Sequence, residues 1–303
     1  MAMTSSVVTR EIWAARDGVK LHAVEWRPSS GEGGVPILGI GGALSNAWNA
    51  EELGIAAASG GLGAPRRLIS PDRRGMGVSS APPSGYTPTE FARDNEAMLA
   101  VAELEDLVVY GHSLGVPIAI AYALAHRDTV RGLVLGDYPA VWPRLSEEWL
   151  ARALASFEVF PDREAAFQAV RQRELAGPRT ADEAHDRDRF ARFAERFLRE
   201  RDGHIEEIWS RDAIRQMQRE SVEAPYWDEL ARLDVPVLAI TGTDVGVRVK
   251  PDDAERYRRA CGDASLVVID GADHSLTVDG DQAPFFAALR GFLADVDRRE
   301  SAR

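Results

Sequence analysis

The sequence holds a single cysteine, Cys261, only two lysines, Lys20 and Lys250, and no long uninterrupted apolar run. One thiol cannot close an intrachain disulfide, so a reducing compartment fits, and a zinc cluster built on thiolates is excluded. No stretch approaches the roughly 18 apolar residues that a membrane-spanning helix requires. The opening MAMTSSVVTREIW lacks the apolar centre of a secretion signal, so a soluble cytoplasmic protein is expected. Positive charge is also short: 36 Lys and Arg stand against 48 Asp and Glu, a formal net charge of −12. Nucleic-acid backbones and anionic membranes would repel such a surface, which leaves a small molecule as the expected partner and no membrane or nucleic acid. Internal repeats, low-complexity tracts, phosphate-loop and dinucleotide fingerprints are missing too. No cofactor and no metal are expected, and oligomeric state is left open.

What is present is an ordinary globular composition, 45% hydrophobic and 28% charged, with ample material for a core. Short apolar runs recur at 20–26, 35–40, 67–70, 107–110 and 132–135, and again at 235–241 and 265–270. Most are continuous rather than alternating, as in strands buried on both faces of a parallel sheet. Helical patterns separate several of them, notably 87–104, with Thr89 as its expected N-cap, and 116–127. Strand, helix and strand at this spacing predict right-handed βαβ units. Between about 140 and 229 the rhythm breaks into charged, helix-patterned sequence with no convincing strand. The expected organisation is therefore an α/β core over 1–139 and 229–303, with a helical cap over 140–228 covering the ligand crevice.

The stretch VVYGHSLGVPIAI (108–120) sets Ser113 between Gly111 and Gly115 where an apolar run yields to a helix. A very tight strand-to-helix turn would force Ser113 to positive φ and leave no room for a Cβ two residues to either side. Its hydroxyl would then stand above the sheet edge at a helix N-terminus, where free N–H groups favour a developing negative charge. A serine hydroxyl needs a base, and six histidines compete for that part. His22, His126, His185 and His204 fall in the first hairpin, a helix end and the cap region, where solvent or local packing accounts for them. His112 adjoins the serine but is expected to point elsewhere and pack.

With these motifs in their order, the chain resembles the α/β-hydrolase superfamily, in its cap-bearing serine esterase-like branch. The resemblance rests on DGVKLHAVEW (17–26), GIGGALSNAW (39–48), SPDRRGMGVSS (70–80), GHSLG (111–115), LVLGDYPA (133–140), VPVLAITGTD (235–244) and LVVIDGADHS (266–275). It implies a mostly parallel central sheet flanked by helices, with the cap inserted after the sixth strand. It also implies a Ser–Asp–His triad: Ser113 as nucleophile, His274 as base and Asp244 as acid, with Asp137 as runner-up because some members carry the acid there. The oxyanion donors would be the N–H groups of Leu114 and Ala43, although Gly41-Gly42 stands where many members have His-Gly. Asp72 and Arg74 look like a buried pair bracing a loop, and Asp270 and Asp273 like turn residues. Trp48, Tyr138 and Trp142, with Trp149, Trp209 and Trp227, are candidates for an apolar pocket. The implied activity is hydrolysis of a small hydrophobic ester or lactone through an acyl-enzyme. Carbon–carbon bond hydrolysis or cofactor-free perhydrolysis would use the same triad, and a hydrolase-like receptor with vestigial turnover is the alternative of another class.

Overall fold

The computed structural model describes residues 7–173, 183–244, 246–262 and 266–303. Strands β1 (Val7–Arg16) and β2 (Val19–Pro28) form a long antiparallel hairpin, from Val7 opposite Pro28 to Arg16 opposite Val19. Asp17 and Gly18 close it with φ of 51° and 79°, the mirror-image turn that suits the twist of a hairpin. The apolar pattern marks β2 but not β1, because β1 is a sheet edge with mostly exposed side chains. Next come β3 (Ile37–Ile40), α1 (Glu51–Ser59), β4 (Leu68–Asp72) and α2 (Pro88–Ala102). Helix α2 is capped by Thr87 rather than Thr89: the Thr87 hydroxyl accepts from the Glu90 N–H, and Pro88 takes the first helical position, where no N–H is needed. Strand β5 (Leu107–His112), α3 (Gly115–Ala125) and β6 (Val130–Gly136) complete the first half of the core.

The chain then leaves the sheet. A short strand β7 (Val141–Trp142) leads to α4 (Glu147–Ala155), β8 (Val159–Phe160), α5 (Arg163–Arg173), α6 (Glu183–Phe197), β9 (Leu198–Arg201), β10 (His204–Glu207) and α7 (Arg211–Glu220). Strand β11 (Ala224–Pro225) and the short α8 (Trp227–Leu230) bring it back. The entering and leaving segments pair with each other, Trp142 opposite Ala224 and Val141 opposite Pro225. This region is not purely helical, as the sequence pattern suggests: β8, β10 and β9 form a small antiparallel sheet. The overlooked signal is Asp202-Gly203, a second two-residue turn with both φ positive, at 50° and 76°. Arg- and Glu-rich flanks mask it, since both faces of so small a sheet carry charge.

The core resumes with β12 (Val237–Gly242), α9 (Pro251–Cys261), β13 (Leu266–Ile269) and α10 (Ala283–Ser301). The eight core strands run in the order β1-β2-β4-β3-β5-β6-β12-β13. From β4 through β13 the neighbours are parallel, and β3, β4 and β6 are almost wholly buried, as expected for a sheet covered on both faces. One apolar cluster fills the face toward α2 and α3 and continues into the cap through Trp142, Leu145, Ala153 and Met217. A second lies under α1 and α10. The outer cap, with Phe160, Phe167, Phe190 and Leu198, has a small core of its own. No helix among the described residues is long and apolar enough to cross a membrane.

Candidate active site

Ser113 directly follows β5 with φ of +52°, a left-handed conformation that costs a non-glycine residue on the order of 1–3 kcal/mol and must be held by its surroundings. The Ser113 N–H donates to the Gly136 carbonyl at 2.8 Å. The flanking glycines are required by space. A Cβ on Gly115 would lie 2.2 Å from the Ile40 carbonyl oxygen of β3, and one on Gly111 would lie 2.4 Å from the Gly115 carbonyl oxygen. Any side chain at either position would therefore push helix α3 off the sheet and release the turn.

His274, in the loop after β13, brings Nε2 to 3.0 Å from Ser113 Oγ, and its Nδ1 lies 2.6 Å from Asp137 Oδ2. An ionised carboxylate only accepts, so Nδ1 carries the proton, Nε2 is the acceptor, and the serine hydroxyl donates to it. The acid at the imidazole is thus Asp137 and not Asp244. Strand β6 lies between β5 and β12 in the sheet, so the residue following β6 falls between the serine turn and the histidine loop. Asp137 is completely buried. Burial alone would raise its pKa, but hydrogen bonds from His274, Thr241 and the N–H groups of Arg248 and Val249 outweigh that and hold it below the usual carboxylate value. Asp244 stands exposed; its backbone N–H donates to the Ala272 carbonyl at 2.9 Å, and among the described residues its carboxylate meets no histidine.

The remaining histidines have other partners. His112 donates from Nε2 to the backbone carbonyl of His274 at 2.7 Å, fixing the loop that carries the imidazole, and burial lowers its pKa, which keeps it neutral. His22 donates to Asp72, His126 bonds Glu96, and His204 is exposed. The side chain of His185 lies outside the described residues. Asp273 accepts from the N–H groups of Ser275 and Thr277, as a turn residue does, and Asp270 accepts from Thr243.

The loop between β3 and α1 approaches the serine closely: a Cβ on Gly42 would lie 3.3 Å from Ser113 Cβ. Its anchor is Arg73, which sequence reasoning passed over in favour of its neighbour. The buried Arg73 guanidinium donates to the carbonyls of Gly41 and Ala43, at 2.8 Å each, and to that of Gly42. In a trans peptide the C=O and the following N–H point in opposite directions. Holding the Gly42 carbonyl toward Arg73 therefore turns the Ala43 N–H away from it, and Ala43 lines the cavity over Ser113. Among the described residues no group accepts from the N–H of Ala43 or Leu114. Burial brings the Arg73 pKa down to about 10, opposed by neighbouring Asp72, so the anchor stays charged at neutral pH. Asp72 and Arg74 are both buried but do not pair with each other. Asp72 accepts from His22 and from the N–H groups of Ala47 and Val78, whereas Arg74 forks onto Asp94 of α2, two bonds of 2.7 Å.

Above this constellation lies a cavity of about 710 Å³, floored by Ser113, His274 and the Gly41–Ser45 loop and roofed by Leu145, Trp149, Arg152, Ala153 and Ser156 of the cap. Tyr138 and Trp149 line it, while Trp48 and Trp142 do not. Trp48 packs edge-on against Trp26 and under Arg196. Trp142 is buried at the cap's base beside Phe91. Trp209 and Trp227 serve packing against Phe157 and Tyr257.

Residues 36–281 match the alpha/beta hydrolase fold family. The chain belongs to the α/β-hydrolases. Among its relatives is the 2-(acetamidomethylene)succinate hydrolase of Mesorhizobium japonicum, 28% identical over 211 residues, covering 68% of this chain and 71% of the relative. A non-heme chloroperoxidase of Streptomyces lividans is 28% identical over 221 residues, covering 69% and 75%. Among solved structures, an E-2-(acetamidomethylene)succinate hydrolase superposes with a TM-score of 0.73 at 24% identity, covering 95% of this chain and 99% of that one. The esterase RhEst1 of Rhodococcus sp. ECU1013 gives 0.63 at 23% identity, covering 95% and 99%. At such identities the structures testify to the α/β-hydrolase fold.

Proposed function

We propose that this α/β-hydrolase cleaves small acyl compounds, esters or lactones foremost, through a Ser113–His274–Asp137 triad and a covalent acyl-enzyme. The observation that carries this reading is the unbroken hydrogen-bonded line from Asp137 through His274 to Ser113 Oγ, which ends in the cavity. Ser113 attacks the carbonyl carbon while His274 Nε2 takes its proton, and Asp137 stabilises the imidazolium that forms. The oxyanion rests on the N–H groups of Ala43 and Leu114. His274 then gives its proton to the leaving oxygen, and a water activated by the same nitrogen releases the acid and restores the serine. A fluorophosphonate should label Ser113 in the wild type and nothing in Ser113→Ala, and a panel of short esters and lactones should be turned over only by the former. Turnover that survives Ser113→Ala would end this reading.

The similarity to a chloroperoxidase supports a second use of the same triad. There the acyl-enzyme passes its acyl group to hydrogen peroxide instead of water, yielding a peracid and free serine. Adding peroxide to the ester assay and measuring peracid against carboxylic acid separates the two.

A further inference from the structure

The walls of the cavity carry a charge pattern opposite to that of the whole chain. The protein has a net charge of −12, yet among the described residues no aspartate or glutamate lines the cavity, while two arginines do, Arg152 and Arg248. They approach from different parts of the fold. Arg152 lies in cap helix α4, and Arg248 in the core loop after β12. Arg152 is ion-paired with Glu148 one turn earlier on the same helix, both side chains being largely exposed, so part of its charge is already answered. Arg248, also exposed at the mouth of the cavity, lacks such a partner among the described residues. Its backbone N–H donates to Asp137 Oδ2 at 2.9 Å, the same oxygen that receives His274 Nδ1, which roots the residue directly behind the imidazole. Among the described residues no carboxylate pairs with its guanidinium, although 48 acidic residues are available to the chain. Its charge is felt at the Tyr138 phenol on the cavity wall: burial raises that pKa and Arg248 opposes the rise. The remaining polar wall, Asn46, Asn49, Ser156 and Gln282 among others, offers uncharged hydrogen-bonding groups and no repulsion toward an anion.

A guanidinium is a fork of donors matched to a carboxylate, and a cleft lined by charge of one sign draws the opposite charge toward it. We infer that the substrate is an anion, a carboxylic acid that carries the scissile acyl group elsewhere in the molecule, and that Arg248 holds the free carboxylate at the cavity rim with Arg152 assisting from the cap. This rests on the acyl-hydrolase reading above and narrows its substrate class. Of the candidate aromatics only Tyr138 and Trp149 reach the cavity, and Leu44, Leu53, Leu145 and Phe285 complete an apolar wall for the rest of the molecule.

The test uses pairs matched in size that differ in charge, each ratio being corrected for the uncatalysed hydrolysis rates of its two members: mono(4-nitrophenyl) adipate against 4-nitrophenyl hexanoate, and 4-acetoxybenzoate against 4-tolyl acetate. The first places the carboxylate on the acyl side and the second on the leaving group. Wild type should favour the anionic member of at least one pair by about 10- to 100-fold in kcat/KM, the range of one charge-assisted hydrogen-bonded contact. Arg248→Gln should erase most of that ratio, Arg248→Lys should restore part of it, and Arg152→Gln should lower it less. A parallel measurement does not depend on turnover: glutarate, but not glutaramide, should slow fluorophosphonate labelling of Ser113, and Arg248→Gln should abolish the protection. The absence of any anionic preference and of any protection by glutarate, or their persistence in Arg248→Gln, overturns the inference while leaving ester turnover and labelling to speak for the triad. A protein that neither labels at Ser113 nor turns over any ester overturns the triad reading, and this one with it.

Discussion

The floor and the roof of the cavity are built on different principles. On the floor, every proposed reacting group is held by features with no slack: a positive-φ serine between two glycines that tolerate no Cβ, a buried aspartate accepting four hydrogen bonds, and a loop fastened by one guanidinium through three carbonyls. The roof is the amphipathic helix α4 and its flanks, which sit on the core by apolar packing of Leu145 and Ala153, while Trp149, Arg152 and Ser156 are half-exposed or exposed. The difference teaches where chemistry and selectivity reside: substitutions in the floor should change how fast bonds break, and substitutions in the roof should change which molecules are taken.

Several measurements would break or sharpen that contrast. The largest effect is expected at Ser113→Ala or His274→Ala, a loss on the order of 10⁴–10⁶ in kcat. Asp137→Asn should cost on the order of 10⁴, because an amide cannot hold the same tautomer or balance the imidazolium. Asp244→Asn serves as its control, with turnover near wild type, and a large loss there would reverse the assignment of the acid. Arg73→Met should lower kcat by about 10²-fold with little change in KM, the value of one oxyanion donor set adrift. An Arg73→Met enzyme at full speed would show that the loop holds itself. Trp149→Ala, in the roof, should change the order of preference within an ester panel by several-fold while kcat on the best substrate moves little.

The smallest expected effect is in pH dependence. Half-buried His112 has a depressed pKa, desolvation being the main cause, so the unfolded chain binds a proton there before the folded one does. Its contribution is complete above the unfolded value of about 6.5 and is lost as pH falls toward the lower folded value. Asp137, also depressed, adds a second loss beginning near pH 4 and continuing below it. Melting temperature should therefore decline gently from about pH 6.5 and more steeply below about pH 4. His112→Asn should flatten the upper part of that curve; an unchanged slope would mean the histidine is not held neutral.

Much of this was legible in the sequence because continuous apolar runs mark strands that lie inside a covered sheet, and because the serine turn needs glycines at two fixed positions. What escaped did so for physical reasons. Strand β1 has one face in water and reads as polar. The cap hairpin is charged at most positions, with only Leu198 and Ile205 apolar, so its Asp-Gly turn is what betrays it. Asp137 and Asp244 each follow an apolar strand, and only the order of strands in space, which puts β6 beside β5, separates them. Arg73 is one of two adjacent arginines. Nothing in a linear string says that one turns toward the loop at 41–43 and the other toward Asp94 on α2.

The pairing of β7 with β11 has a consequence for how such a chain can change. Because outgoing and returning segments touch at one two-stranded clasp, the chain leaves and rejoins the sheet at one place, and beyond it the cap rests on the core through side-chain and loop contacts such as Ser210 with Gly75 and Glu220 with Tyr86. A lineage could exchange, lengthen or trim that appendage without disturbing a strand of the barrel-less platform beneath. New diets would then arise by swapping a lid while the hydrolytic machinery is inherited intact.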